Sequence, residues 1–194
     1  DAHPERLVGA GRPIPGVEVR VVDVGTLQDV VAGGHGELWF RTPQLMQGYL
    51  GKPEATAEVI TEDGWFRTGD IGTVDADGYV YVTDRLKDMI ISGGENIYSP
   101  EIERVLAEHP AVAEVAIIGV PDDRWGETVK AVVSLHPGRE VTEAELIEHC
   151  RASLARYKCP STVEFLEALP RNPTGKILKR DLRAPYWGEG DRRI

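Results

Sequence analysis

The chain has 194 residues, 41% of them hydrophobic, so it can bury a core as one domain or as two small ones. Its formal net charge of -10 argues against broad electrostatic binding to nucleic acid, which needs a clustered basic surface. No apolar run is long enough to cross a bilayer, and two cysteines are too few for a disulfide framework. These properties predict a soluble, cytoplasmic protein with reduced thiols.

The first half of the sequence has the pattern of short β-strands. Residues 17–22 alternate apolar and polar side chains, and residues 37–40 follow a pair of glycines. Residues 79–82 are also strand-like, and the preceding segment, residues 74–79, has the composition of a hairpin connection in which Gly78 supplies the positive φ angle. We therefore predict a β-rich module here.

The pattern changes after about residue 86. Ser99 and Pro100 indicate an N-cap followed by proline at the first helical position, which predicts a helix that stops before Pro110. Residues 115–120 and 128–135 are strand-like. This second half therefore combines a helix with a small sheet.

A second helix is predicted after residue 141. Thr142 and Glu145 form a capping box at its start. The helix would place four apolar residues on one face, namely Leu146, Ile147, Cys150 and Leu154.

These elements predict an α+β fold in two parts. Residues 1–86 would form a β-rich subdomain, the distorted barrel end of a larger domain. Residues 87–194 would form a small α+β domain with a central sheet flanked by helices. The boundary at Lys87 lies in a polar stretch where the composition changes.

The strongest local signal is a loop rich in proline and glycine that runs from Leu169 to Arg180. It presents Lys176 ahead of a predicted helix. A lysine ammonium can balance the charge of a carboxylate and a phosphate oxygen during acyl transfer to AMP. This motif alone would equally describe a surface lysine in a turn.

A second motif, Gly64-Trp-Phe-Arg-Thr-Gly-Asp70, places a carboxylate after a tight glycine turn. Asp70 could accept hydrogen bonds from both hydroxyls of a ribose, or it could simply cap its own backbone. The third motif is Asp84-Arg-Leu-Lys-Asp-Met-Ile-Ile-Ser-Gly-Gly-Glu-Asn96, followed by Ile-Tyr-Ser-Pro-Glu-Ile-Glu103.

In this order, the three motifs resemble the adenylate-forming superfamily of acyl- and aryl-CoA synthetases, luciferases and carrier-loading adenylation domains. The resemblance runs essentially end to end and adds Gly36-Glu-Leu38 and Gly48-Tyr-Leu50. It implies the C-terminal fragment of an ATP-dependent acid–CoA ligase, with a fatty acid as the expected substrate.

The resemblance also implies a nucleotide site. The aspartate that matches Asp70 holds the ribose hydroxyls of ATP in that family, and the arginine that matches Arg85 contacts the ribose too. Lys87 matches the hinge about which the C-terminal domain rotates between its adenylating and thioester-forming poses. Lys176 matches the catalytic lysine of adenylation, which leaves the site after the rotation.

A CoA site is implied as well. Gly93 and Gly94 match the face that replaces the lysine, and Gly94 lines the pantetheine tunnel, where a Cβ would obstruct the thiol. Trp125 matches a position where some CoA ligases stack an aromatic ring near CoA, and a packed core tryptophan is the alternative. Lys158 is a candidate contact to the CoA phosphates, although Cys159 stands where such ligases often have a basic side chain.

Other parts of the family's active site have no counterpart in these 194 residues. They are the phosphate loop, the segment for adenine and Mg²⁺, and the acyl pocket, all expected in a missing N-terminal part of the same enzyme. We therefore expect the fragment alone to be inactive. Its partners would be a carboxylic acid, ATP or AMP, and CoA, with no metal ligand of its own.

Two other functions stay open. A carrier-loading adenylation enzyme shares the motifs, but a carrier domain would normally follow, whereas this chain stops soon after Arg183. A non-catalytic interaction or regulatory module would have no physical need to keep Asp70 and Lys176 together. A luciferase-type oxidase is disfavoured because Ile91 stands where it would prefer a second lysine.

Overall fold

The structure is a computed structural model that describes residue 6 and residues 8–187. Within these residues, nine β-strands and four α-helices form two compact units, so the α+β class is confirmed. The units divide between Lys87 and Asp88, one residue after the division predicted from the sequence.

The first unit is an open antiparallel sheet with its strands in sequence order: β1 (Glu18–Val22), β2 (Gly36–Arg41), β3 (Phe66–Val74) and β4 (Val80–Arg85). A short helix, α1 (Pro53–Val59), lies between β2 and β3 in the chain. Because β1 and β4 are the two edges, the strands described here do not close into a barrel by themselves.

The predicted hairpin between β3 and β4 is confirmed. Gly78 has a φ angle of +82°, which favours glycine. The Asp75 carboxylate accepts hydrogen bonds of 2.9 Å from the backbone N–H groups of Asp77 and Tyr79. The bond from Tyr79 is the main cause that lowers the pKa of Asp75.

The second unit has a five-stranded mixed sheet: β5 (Ile90–Ser92), β6 (Glu95–Ile97), β7 (Val112–Asp122), β8 (Gly126–Leu135) and β9 (Thr162–Phe165). Strand β8 pairs antiparallel with β7 and β5, and parallel with β9. The helices are α2 (Ser99–Ala107), α3 (Glu143–Arg151) and α4 (Lys179–Trp187).

This sheet has a hydrophobic core on each face, because alternate side chains of β7 and β8 point to opposite sides. One cluster includes Ile117 and Val133 and packs against α2 and α3. The other includes Ile118 and Val132 and packs against α4. The predicted central sheet flanked by helices is therefore confirmed.

The start of α2 differs from the prediction. Tyr98 is the N-cap residue, with no side-chain cap, and Ser99 is already helical. The Ser99 hydroxyl is fully buried and accepts a hydrogen bond of 2.6 Å from the Lys179 ammonium. The predicted Ser99 cap was wrong: the helix begins one residue earlier than expected, and the Ser99 hydroxyl takes part in a long-range contact instead.

The predicted capping box of α3 is confirmed, with a hydrogen bond of 2.8 Å from the Thr142 backbone N–H to the Glu145 carboxylate. Leu146 and Cys150 are fully buried on the inner face of this helix, whereas Leu154 lies after the helix ends. Burial raises the pKa of the Cys150 thiol to about 12.

In the part of the chain that the structure describes, every helix is too short or too polar to span a membrane.

Candidate functional site

The structure brings Asp70 and Arg85 together on neighbouring strands. They are directly paired in the register of β3 and β4, and the Arg85 Nε lies 3.6 Å from the Asp70 Oδ1. Both side chains are exposed enough for a ligand to reach them. An exposed ion pair of this kind is weak, so the Asp70 carboxylate keeps its capacity to accept hydrogen bonds from a ligand.

A buried carboxylate supports the part of β3 that carries Asp70. Glu37 on β2 is only 6% exposed. Its two oxygens accept hydrogen bonds of 2.9 Å from the Gly69 backbone N–H and 2.7 Å from the Trp39 indole N–H. The β2–β3 register shifts between Glu37 and Trp39, so side-chain bonds replace ladder bonds there. Glu37 thus fixes the backbone immediately before Asp70.

Glu37 lies in the Gly36-Glu-Leu38 motif, and the sequence alone gave no role for its side chain. The available signal was a carboxylate between Gly36 and Leu38 in a strand-like segment. Strand β2 is buried along most of its length, so such a carboxylate must find donors inside the protein. The identity of those donors depends on pairing with β3.

We expect Glu37→Leu to destabilise the first unit by about 2–4 kcal/mol, because the Gly69 and Trp39 donors would stay buried without an acceptor. Urea unfolding of the chain, followed by tryptophan fluorescence, measures the effect. Glu18→Leu is the control, since Glu18 is exposed on β1 and pairs only with Arg41 among the described contacts. Equal midpoints for the two variants would contradict the role of Glu37.

A glycine turn joins β5 to β6 in the second unit. Gly93 and Gly94 have φ angles of +60° and +88°. A Cβ on Gly93 would lie 2.8 Å from the Trp125 Cε3 atom, so this glycine allows the indole to pack on the backbone. A Cβ on Gly94 would have no atom of the described chain within 4 Å. Only Gly94 therefore faces open space.

Trp125 packs against this glycine turn and does not lie in the core. Its side chain is 48% exposed, and its carbonyl accepts a 2.9 Å hydrogen bond from the Gly93 N–H. The Asp122 carboxylate accepts hydrogen bonds from the backbone of Arg124 and Trp125, at 2.9 and 2.8 Å, which fixes the connection between β7 and β8. The alternative of a packed core tryptophan does not hold.

Lys176 lies in a compact loop just before α4. The Asn172 carboxamide oxygen accepts a hydrogen bond of 2.9 Å from the Lys176 N–H, and the Asn172 N–H donates to the Lys176 carbonyl at 2.9 Å. Gly175 completes the turn with a φ angle of +85°. The Lys176 side chain is exposed, and within the described residues no hydrogen bond or ion pair holds its ammonium. The loop thus presents a free cation on a defined backbone.

Lys158 has a partner within the chain. Its ammonium donates a 2.6 Å hydrogen bond to Glu101 in the first turn of α2. This bond is the main cause that raises the pKa of Lys158. Its charge is therefore already balanced, which weakens it as a contact for CoA phosphates.

The remaining predicted residue, Lys87, lies in a short 3-10 turn at the division between the units. The structure therefore groups Asp70 with Arg85, and the two glycines with Trp125. Lys158 and Lys176 stand on separate elements of the second unit. Residue 6 and residues 8–187 hold no group of three or more His, Cys, Asp and Glu side chains arranged for a metal ion.

Comparison with known proteins identifies the family. Residues 1–50 match the family described as AMP-binding enzyme, and residues 101–176 match the AMP-binding enzyme C-terminal domain. The chain belongs to this adenylate-forming family, as the motifs predicted.

Two relatives illustrate the similarity. The chain is 54% identical over 153 residues to the long-chain-fatty-acid–CoA ligase FadD13 of Mycobacterium tuberculosis, which covers 79% of the chain and 30% of the relative. It is 46% identical over 188 residues to the fatty acid–acyl-carrier-protein ligase ScoC of Streptomyces coeruleorubidus, which covers 97% of the chain and 36% of the relative. The chain thus spans about a third of the length of these relatives.

Solved structures agree. The ATP-bound structure of MatB from Rhodopseudomonas palustris matches with a TM-score of 0.85 and 39% identity, over 92% of this chain and 36% of MatB. The amide bond synthetase McbA from Marinactinospora thermotolerans matches with a TM-score of 0.81 and 42% identity, over 95% of this chain and 38% of McbA. In sequence and in structure, the chain therefore resembles one portion of much longer enzymes.

Proposed function

We propose that this chain is the C-terminal portion of an ATP-dependent acid–thiol ligase that acts in the cytoplasm. The enzyme would join a carboxylic acid, expected to be a fatty acid, to AMP and then transfer the acyl group to a thiol. The observation that carries this proposal is the exposed Lys176 ammonium, which has no partner among the described residues, on a fixed loop in a chain 54% identical over 153 residues to a fatty acid–CoA ligase.

The first unit would contribute to nucleotide binding. The accessible Asp70 carboxylate can accept hydrogen bonds from two ribose hydroxyls, which are neutral donors suited to an anionic acceptor. Arg85, 3.6 Å away, can contact the same sugar. Glu37 would keep the Asp70 backbone in place.

The second unit would contribute to both chemical steps. The Lys176 ammonium would balance negative charge while the acyl–phosphate bond forms, a role that electrostatic stabilisation requires. Gly94 would leave room for a pantetheine arm, since a Cβ at this position would meet no atom of the described residues within 4 Å. Lys87 would be the hinge at which rotation replaces Lys176 with the glycine turn in the active site.

Several parts of the chemistry would come from elsewhere in the same enzyme. The phosphate loop, the Mg²⁺ ligands and the acyl pocket would lie in the preceding polypeptide, so the 194 residues alone would be inactive. Pyrophosphate release by the purified chain without added polypeptide would contradict this part of the proposal.

A carrier protein is the second candidate acceptor. ScoC, which matches 97% of the chain, is named as a ligase for the acyl-carrier protein. CoA and such carriers present the same pantetheine thiol, but CoA adds phosphates that need cations. Lys158, the candidate for those phosphates, is already paired with Glu101.

The acceptor can be tested with the full-length enzyme, ATP and a series of fatty acids. CoA or a pantetheine-bearing carrier protein is supplied, and pyrophosphate release and thioester formation are measured separately. We expect ATP-dependent adenylation followed by transfer to CoA. Transfer to the carrier alone would favour the second candidate, and no pyrophosphate release with any acid would overturn the ligase proposal.

A further inference from the structure

An ion pair joins the residue after the predicted hinge to the last helix. Asp88 immediately follows Lys87, and its Oδ1 lies 2.8 Å from the Nη1 of Arg183 in α4. The side chains are 16% and 12% exposed, respectively. A pair this well covered is held more firmly than most surface pairs, and loss of either partner leaves a poorly solvated charge.

The start of α4 is fixed as well, four residues before Arg183. Lys179, its first residue, donates a 2.6 Å hydrogen bond to Ser99 and lies 2.7 Å from the Glu103 carboxylate, both in α2. The Leu182 N–H bonds back to the Leu178 carbonyl, two residues after Lys176. The Lys176 loop therefore continues directly into a helix that is attached at its first residue and at its middle.

The glycine turn has a different support. It connects β5 and β6, where Ile90 and Ile97 are fully buried in the core against α2 and α3. Its position therefore depends on the strands of the sheet directly, whereas the Lys176 loop is joined to the sheet partly through α4. A change at the Arg183 pair should affect the two elements unequally.

We propose that Asp88 and Arg183 are positioning residues that hold the Lys176 loop in a fixed relation to the hinge at Lys87. A rotation at the hinge is then transmitted through the ion pair and α4 to the lysine. The role of this coupling in catalysis rests on the proposed ligase function. The contacts that provide the coupling, between Asp88, Arg183 and α4, lie within the second unit.

Hydrogen exchange of this chain tests the coupling without catalysis. Asp88→Asn and Arg183→Gln should each speed exchange of the amides of residues 174–187 by about tenfold, while amides of β5 and β6 stay protected. The double variant removes both charges of the Asp88–Arg183 pair, so neither is left facing a neutral side chain, and its effect should not exceed that of either single change. Arg180→Gln is the matched control, because Arg180 is on the same helix but 83% exposed.

Kinetics of the full-length enzyme test whether the ion pair positions Lys176 for adenylation. Asp88→Asn should lower the rate of adenylation about tenfold, because Lys176 is no longer held, and should leave thioester formation from supplied acyl-adenylate unchanged. A merely structural role would lower both rates together.

Additive effects of the single changes, or equal acceleration in Arg180→Gln, would overturn the coupling. Equal loss of both half-reactions would overturn the positioning role. These outcomes are distinct from failure of the proposed function: if Lys176 itself proves dispensable for adenylation, the exchange result still decides whether the helix is coupled to the hinge.

Discussion

We expect Lys176→Ala in the full-length enzyme to slow acyl-adenylate formation by about 10²–10³-fold, the loss that follows removal of one preorganised donor from developing negative charge. Thioester formation from supplied acyl-adenylate should be nearly unchanged. The Lys176 ammonium has no partner among the described side chains, so its removal should leave the fold intact. Pyrophosphate release and single-turnover thioester formation measure the two steps.

Two further variants sharpen this test. Lys176→Arg keeps the charge but replaces a compact ammonium with a planar guanidinium, so we expect it to recover only part of the rate. Arg180→Gln changes an exposed charge four residues away and should match the unmodified enzyme. Equal loss of both half-reactions in Lys176→Ala would refute an adenylation-specific lysine.

The opposite selectivity is expected for Gly94→Val. The β-branched side chain would project into space that the chain leaves open, where the proposed pantetheine arm must pass. We expect thioester formation to fall by at least about 100-fold, because a misplaced thiol loses the advantage of a near-attack geometry. Adenylation should be largely spared.

The backbone of Gly94 complicates this variant, since its φ angle of +88° is unfavourable for valine and can lower stability by about 1–3 kcal/mol. Gly138→Val is the matched control. Gly138 has a φ angle of +72° and also has no chain atom near its Cβ position. If both variants lose stability equally but only Gly94→Val loses thioester formation, strain is excluded as the cause. Intact thioester formation in Gly94→Val would contradict the tunnel.

Features that depend on local sequence were predicted well. The capping box at Thr142 and the hairpin glycine, Gly78, involve residues within a few positions of each other, and both are present in the structure. Side-chain alternation in residues 17–22 likewise located β1, and the strand-like composition of residues 115–120 located β7. These patterns need no knowledge of which segments meet in space.

Long-range partners could not be predicted in the same way. Ser99 satisfies the sequence rule for an N-cap, but Lys179, eighty residues later, takes its hydroxyl. The pairing of Lys158 with Glu101 has the same origin. Such contacts follow from the packing of α2 against neighbouring elements, which the sequence pattern does not encode locally.

The candidate site shows the same difference between features set by local sequence and features set by long-range contacts. The resemblance assigned Asp70 and Arg85 to one nucleotide site, and the antiparallel pairing of β3 with β4 places the two residues side by side. The hydrogen bond from the Gly69 N–H to Glu37, which supports the backbone before Asp70, was not predicted, because it depends on the pairing of β2 with β3. The roles of all these residues in catalysis stay predictions until the half-reactions are measured.

An enzyme that activates acyl groups for attack by a thiol must avoid acylating itself. The thiolate is the reactive form of cysteine, and burial raises the pKa of both Cys150 and Cys159. Burial also encloses Cys150 completely, so its thiol stays protonated and out of reach. In the proposed ligase, the chain's own cysteines would therefore compete poorly with the acceptor thiol for the activated acyl group.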